Sequence, residues 1–197
     1  MARLHPDEAV HAATLHPRRR PTWVAGRLAL RAALTEIGVT SGPILPNDRG
    51  APLLPPGVVG SISHKSMLAV ALAARESGWT VGIDVEQRRL GKQDISRHVL
   101  TPAEMTEVAR LDPAAREQEI MLRFSLKESI YKAIDPYLRR FVGFQEVSVA
   151  TRPDGGAGVS LHLESGAPLD VEGWWTAEPE YVLTVARARP SMVRFET

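Results

Sequence analysis

The chain has 197 residues, enough for one globular unit or for two small halves that share a core. Hydrophobic residues make up 44% and charged residues 24%, with no weakly apolar, highly charged stretch of the kind that stays disordered, so the whole chain is expected to fold. The 24 Lys and Arg nearly cancel the 23 Asp and Glu, so a net charge of +1 gives no field that marks a nucleic-acid or membrane binder, and the absence of cysteine excludes disulfides, thiolate catalysis and sulfur-ligated zinc.

Met1 to Val10 carries His, Asp, Glu and Arg in place of the apolar run of a signal peptide, and no stretch approaches the roughly 20 apolar residues of a membrane span. The expectation is a soluble, unexported protein. Arg18-Arg19-Arg20, with Arg27 and Arg31 behind them, suits either a phosphate-bearing ligand or a solvated helix entrance. Trp23, Val24, Leu28, Leu30, Leu34 and Ile37 recur at helical spacing, and Gly38 follows as a C-cap, so a helix is expected from Trp23 to Ile37. Gly42 to Gly57 is rich in Pro and Gly and reads as an irregular loop. Strands are expected at Val58 to Ser63, Met67 to Ala74 and Trp79 to Glu86.

The polar run Gln87 to Gln93 is the expected boundary, giving an N-terminal half of 1–90 and a C-terminal half of 91–197. Thr101, Pro102 and Glu104 spell a capping box, and Asp112-Pro113 opens a longer helix expected to end near Ile134, before Pro136. Phe144 to Thr151, Val159 to Glu164, Asp170 to Ala177 and Tyr181 to Ala188 read as strands between turns. Each half is thus helix first, then an antiparallel meander, an α+β plan that leaves room for a ligand between the halves.

Three elements carry chemistry. In Val81-Gly82-Ile83-Asp84-Val85-Glu86 the alternation puts Val81, Ile83 and Val85 on a buried face and Asp84 with Glu86 on the other. Two adjacent carboxylates suit Mg²⁺, though an acidic, wet strand end has the same pattern. In Phe124-Ser125-Leu126-Lys127-Glu128-Ser129-Ile130-Tyr131-Lys132 a helical wheel puts Ile120, Tyr131, Phe124 and Met121 on one apolar stripe with Glu128 inside it. A carboxylate there needs a metal or a partner, and Lys132, one turn on, offers a simple helix pair as the alternative. Gly60-Ser61-Ile62-Ser63-His64, followed by Lys65, offers small residues that let a ligand approach and groups that donate to phosphate, yet it lacks the elbow of a serine hydrolase.

These blocks in this order resemble the 4′-phosphopantetheinyl transferases of the two-halved type that serve siderophore, nonribosomal peptide and polyketide synthesis. The matching residues are Gly26-Arg27-Leu28-Ala29-Leu30-Arg31-Ala32-Ala33-Leu34, Gly50 to Pro56, Gly60 to His64, Gly82 to Glu86 and Arg123 to Val147. The resemblance implies a pseudo-dimer of two similar α+β halves, each a helix on a small antiparallel sheet, with coenzyme A in the cleft between them. It implies Mg²⁺ held by Asp84, Glu86 and Glu128, with Glu128 and Lys132 as the catalytic pair and Glu128 as base. Lys127 and Lys132 would contact phosphates, and Ser63 and His64, helped by Arg19, Arg27 and Arg49, would bind near the 3′-phosphate end. The partners implied are coenzyme A and apo acyl- or peptidyl-carrier proteins, with no nucleic acid and no membrane, for a cytoplasmic monomer. Carrier docking is expected on Arg88, Arg89, Lys92, Arg139 and Arg140. A magnesium-dependent phosphohydrolase and a nucleic-acid binder led by Arg18 to Arg31 are the rival readings.

Overall fold

The computed structural model describes residues 4–88, 94–164 and 168–191. Most of the expected boundary Gln87 to Gln93 lies outside them, as do Arg89 and Lys92. The chain opens with a helix that the sequence reading did not anticipate, α1 (Pro6–Thr14). Its cap is His5, whose ring nitrogen accepts from Asp7 N while the Glu8 carboxylate accepts from His5 N. Histidine is an uncommon N-cap, which is why the start was not legible. Glu8 is wholly enclosed and also accepts from Ile44 N at 2.7 Å and from Arg31 Nη2 at 2.6 Å, so it pins α1 to the next helix and the following loop.

Helix α2 (Arg20–Glu36) ends where expected, with Gly38 at φ 68°. It packs on the hairpin β1 (Val58–Lys65) and β2 (Leu68–Arg75) through Leu30 and Leu34, with Ile44 and Leu54 of the loop and Ile62 and Ala73 of the hairpin alongside. Gly60, expected to admit a ligand, instead admits protein: a Cβ there would lie 2.8 Å from Leu72 O and close to Leu54 and Leu30.

Strand β3 (Thr80–Gln87) departs from the expected meander. It forms a backbone ladder with neither β1 nor β2 but makes the edge of a five-stranded antiparallel sheet in the order β3-β7-β6-β5-β4, where β4 is Val147–Thr151, β5 Gly156–Leu161, β6 Leu169–Ala177 and β7 Tyr181–Pro190. The first half therefore donates its last strand to the sheet of the second. Both faces of β3 are covered: Ile83, Asp84, Val85 and Glu86 are all at most 8% exposed, so the expected dry and wet faces do not exist. One face meets α5 (Pro113–Leu138). Gly82 allows that approach, since a Cβ there would sit 1.9 Å from Ser129 O on the helix backbone.

Between the halves run the short helix α3 (Ser96–Val99) and α4 (Pro102–Val108), the latter opened by the Thr101 and Glu104 capping box. Helix α5 begins at Asp112, whose carboxylate accepts from Ala114 N and Ala115 N. It is the central element, and its main core stripe is Leu122, Leu126, Ile130, Ala133 and Ile134, packed on Val182, Ala186 and Ala188 of β7. The Ile120, Tyr131, Phe124 and Met121 stripe is corrected accordingly: the helix is enclosed on several sides, and an amphipathic wheel does not identify the principal one. The helix also runs through Pro136 to Leu138, where Arg139 at φ 49° donates its N–H to Asp135 O. A proline in the final turn removes one donor without preventing that closure.

Candidate functional site

The site forms where β1, β3 and α5 converge. Alternate residues of β1 address β3 in order along the strand: Ser61 Oγ accepts from Ile83 N at 3.2 Å, Ser63 Oγ donates to Asp84 Oδ1 at 2.7 Å, and Lys65 Nζ contacts Glu86 Oε2 as an ion pair. From α5, Ser125 Oγ donates to Asp84 Oδ2 at 2.8 Å and Lys132 Nζ donates to Asp84 Oδ1 at 2.8 Å and Ile83 O at 2.9 Å. Ser125, Glu128 and Lys132 share one helix face through their spacing of three and four, the signal that identifies Ser125 as part of the site, a role that sequence reasoning missed.

Lys132 therefore pairs with Asp84 across elements and forms no ion pair with Glu128. Among the described residues none donates a hydrogen bond to the Glu128 carboxylate. Burial holds Glu128 above the usual carboxylate range; Lys132 opposes this and Asp84 and Glu86 reinforce it. Burial likewise raises Glu86, with Lys65 opposing and Asp84 reinforcing. Glu86 and Glu128 thus both feel the charge of Asp84, although among the described residues no three His, Cys, Asp or Glu side chains stand gathered as a metal cage.

The donor set nonetheless fits Mg²⁺ on an observation independent of that cage. Among the described residues no side chain donates to Glu128 and only the half-exposed Lys65 meets Glu86, so two hard oxygen ligands beside Asp84 keep lone pairs to spare. An apolar pocket opens next to Glu128, walled by Tyr131, Phe141, Val142, Phe144 and Val147.

Three expected phosphate ligands are placed elsewhere. Lys127 is 1% exposed, and its ammonium donates to Val99 O at 2.7 Å, Glu104 Oε2 at 2.6 Å and Phe144 O at 3.1 Å, which uses all three protons. Residues 127 and 128 point about 100° apart on a helix, so when Glu128 faces β3 its neighbour turns toward α4. Arg27 is 5% exposed, donates Nε to Ile44 O at 2.9 Å and lies over the Trp23 ring at 4.3 Å. Arg49 crosses between halves: Nε is 2.9 Å from Asp135 Oδ1, and Nη2 reaches Asp135 Oδ1 at 2.5 Å, Tyr131 Oη at 3.2 Å and Arg140 O at 3.2 Å. Arg19 and His64 are exposed, and Ser63 belongs to the carboxylate cluster.

Of the expected docking arginines, Arg88 donates to Glu178 O and Gln118, and Arg140 pairs with Glu146 at 2.6 Å. Arg139 pairs with Asp48 at 3.1 Å in an open setting, both side chains being about two-thirds exposed. No helix among the described residues is long and apolar enough to cross a membrane.

Fold and site together define an α+β enzyme with a buried, oxygen-rich acidic centre. Residues 6–74 match the model of the 4′-phosphopantetheinyl transferase N-terminal domain, and residues 80–186 match that of the 4′-phosphopantetheinyl transferase superfamily. The chain is 36% identical over 199 residues to the 4′-phosphopantetheinyl transferase Svp of Streptomyces mobaraensis, covering 95% of this chain and 80% of that protein. It is 32% identical over 190 residues to PptT of Mycobacterium tuberculosis, covering 91% and 83%. It is 31% identical over 188 residues to enterobactin synthase component D of Salmonella typhimurium, covering 87% and 73%. The chain belongs to the 4′-phosphopantetheinyl transferase superfamily, whose reaction is the transfer of phosphopantetheine from coenzyme A to carrier proteins.

Proposed function

We propose that the protein carries out this transfer at the Asp84, Glu86, Glu128 and Lys132 cluster, onto the serine of an apo acyl- or peptidyl-carrier protein, with release of 3′,5′-ADP. The observation that carries the assignment is the seating of Lys132 of α5 on Asp84 of β3, with Glu86 next along the strand and Glu128 one turn before the lysine on the helix. Asp84, Glu86 and Glu128 would hold Mg²⁺, which when bound supplies positive charge against the pyrophosphate oxygens. Lys132, already fixed by Asp84 and Ile83 O, holds its ammonium beside the acidic centre, where it can stabilise charge on a transferring phosphoryl group without reorganising. Glu128, to which no described side chain donates a hydrogen bond, keeps lone pairs with which to accept the serine proton, directly or through a water. The apolar pocket next to Glu128 suits the pantetheine arm, and exposed Arg19 and His64 suit the nucleotide end.

Mass spectrometry of an apo carrier incubated with coenzyme A and Mg²⁺ tests the proposal. Wild-type protein should add one phosphopantetheine. Glu128→Gln should fold as wild type and lose transfer by at least about 100-fold, the usual worth of a positioned base. Near-wild-type transfer by that variant at saturating Mg²⁺ removes Glu128 from the reaction.

A further inference from the structure

The two carboxylates of β3 are neutralised in different ways. Asp84 is held by three aligned hydrogen bonds, from Ser63, Ser125 and Lys132, and Lys132 is itself anchored on Ile83 O. Among the described residues Glu86 is ion-paired with Lys65 alone, through Oε2. The exposures differ too: the Glu86 side chain is 11% exposed and that of Lys65 is 40% exposed. The carboxylate is fixed in the interior, whereas the ammonium stands at its edge on a flexible four-carbon stem. Lys65 is not there by accident of a loose side chain, because it continues the β1 face on which Ser61 and Ser63 already address β3. Just beyond it the chain turns at Ser66, with φ 52°.

We propose that Lys65 is a built-in counter-cation of the metal centre: it occupies Glu86 while the centre is empty, and an incoming divalent cation must displace it. This rests on the reading of Asp84, Glu86 and Glu128 as metal ligands. Two buried neighbouring carboxylates repel in the metal-free protein, and an ammonium at Glu86 relieves that repulsion. Because the ammonium and the metal compete for the same oxygen, the protein gains metal-free stability and loses metal affinity. The half-exposed lysine is the partner that leaves, since water receives its ammonium at little cost.

The test is direct titration of Mn²⁺, a paramagnetic stand-in for Mg²⁺, with free metal read by electron paramagnetic resonance and no coenzyme A present. Lys65→Met should bind Mn²⁺ about fivefold more tightly than wild type, the scale of a partly exposed ion pair. Its metal-free thermal midpoint should fall and should recover on adding metal. Lys65→Arg keeps the charge and should behave as wild type in both respects. If Lys65→Met proves to fold only with metal present, that dependence is itself the expected result. Equal Mn²⁺ affinities for wild type and Lys65→Met overturn the proposal and leave the metal centre standing. Absence of Mn²⁺ binding in all three proteins overturns the metal centre, and the proposal with it.

Discussion

Glu104 and Lys127 are both almost wholly enclosed, at 2% and 1% exposure, and each satisfies several groups at once. Glu104 accepts from Thr101 N, Val149 N and Lys127, while Lys127 adds the carbonyls of Val99 and Phe144. Such a pair adds little net stability, but removing one partner strands the other charge, typically at about 3–5 kcal/mol. Lys127→Met should lower the unfolding free energy by about that much in denaturant titration, and Glu104→Gln in the same chain should recover part of it. Wild-type stability with a raised KM for coenzyme A would return Lys127 to the phosphates. A second pair makes a pH prediction. Arg140 beside Glu146 holds that carboxyl down at about 2. A depressed carboxyl stabilises the fold above its unfolded pKa and loses that contribution as pH falls through its folded one. Glu146→Gln should therefore flatten the loss of stability between about pH 4 and pH 2, read by circular dichroism. An unchanged acid limb would mean that solvent screens the pair.

At the scale of elements, what was legible was what local chemistry writes plainly. Thr101, Pro102 and Glu104, Asp112 before Pro113, and Gly38 after α2 carried their caps in the sequence, and β6 and β7 followed from alternation. What failed depended on partners far along the chain. The two faces of β3 look dry and wet in isolation, but burial of the acidic face is created by α5, which no alternation reports. Glu128 stood out in the sequence as a carboxylate inside an apolar stripe, and Lys127 was misplaced because adjacent helix residues point to different neighbours. Closeness of β3 to α5 gives the test at this scale. Gly82→Ala places a Cβ 1.9 Å from Ser129 O, on backbone that cannot rotate aside. It should cost about 1–3 kcal/mol or more. Gly158→Ala, whose Cβ would meet nothing nearer than Ala150 Cβ at 3.7 Å, should be nearly neutral. Equal denaturation midpoints for the two variants would mean that β3 and α5 are free to part.

At the scale of the molecule, the halves are joined by β3 in the second sheet and by Arg49, which reaches from the irregular loop between Gly42 and Gly57 to the last turns of α5. The loop itself was legible from its prolines and glycines, but the destination of its arginine was not, because composition says nothing about a partner 86 residues away. A planar guanidinium can span a carboxylate, a phenol and backbone carbonyls at once, and a lysine ammonium cannot. If coenzyme A binds between the halves, this clamp sets how much ordering the ligand must supply, and loosening it should weaken binding more than chemistry. Arg49→Lys should then raise KM for coenzyme A several-fold with kcat within about twofold. Asp135 distinguishes a clamp from a phosphate ligand. In a clamp, Asp135→Asn breaks the same joint, so its KM should rise similarly and the double variant should be little worse than either single one. In a phosphate ligand, Asp135→Asn frees the guanidinium for the anion, and KM for coenzyme A should fall. A lower KM in Asp135→Asn, measured at saturating carrier and Mg²⁺, would overturn the clamp and restore Arg49 to the nucleotide site.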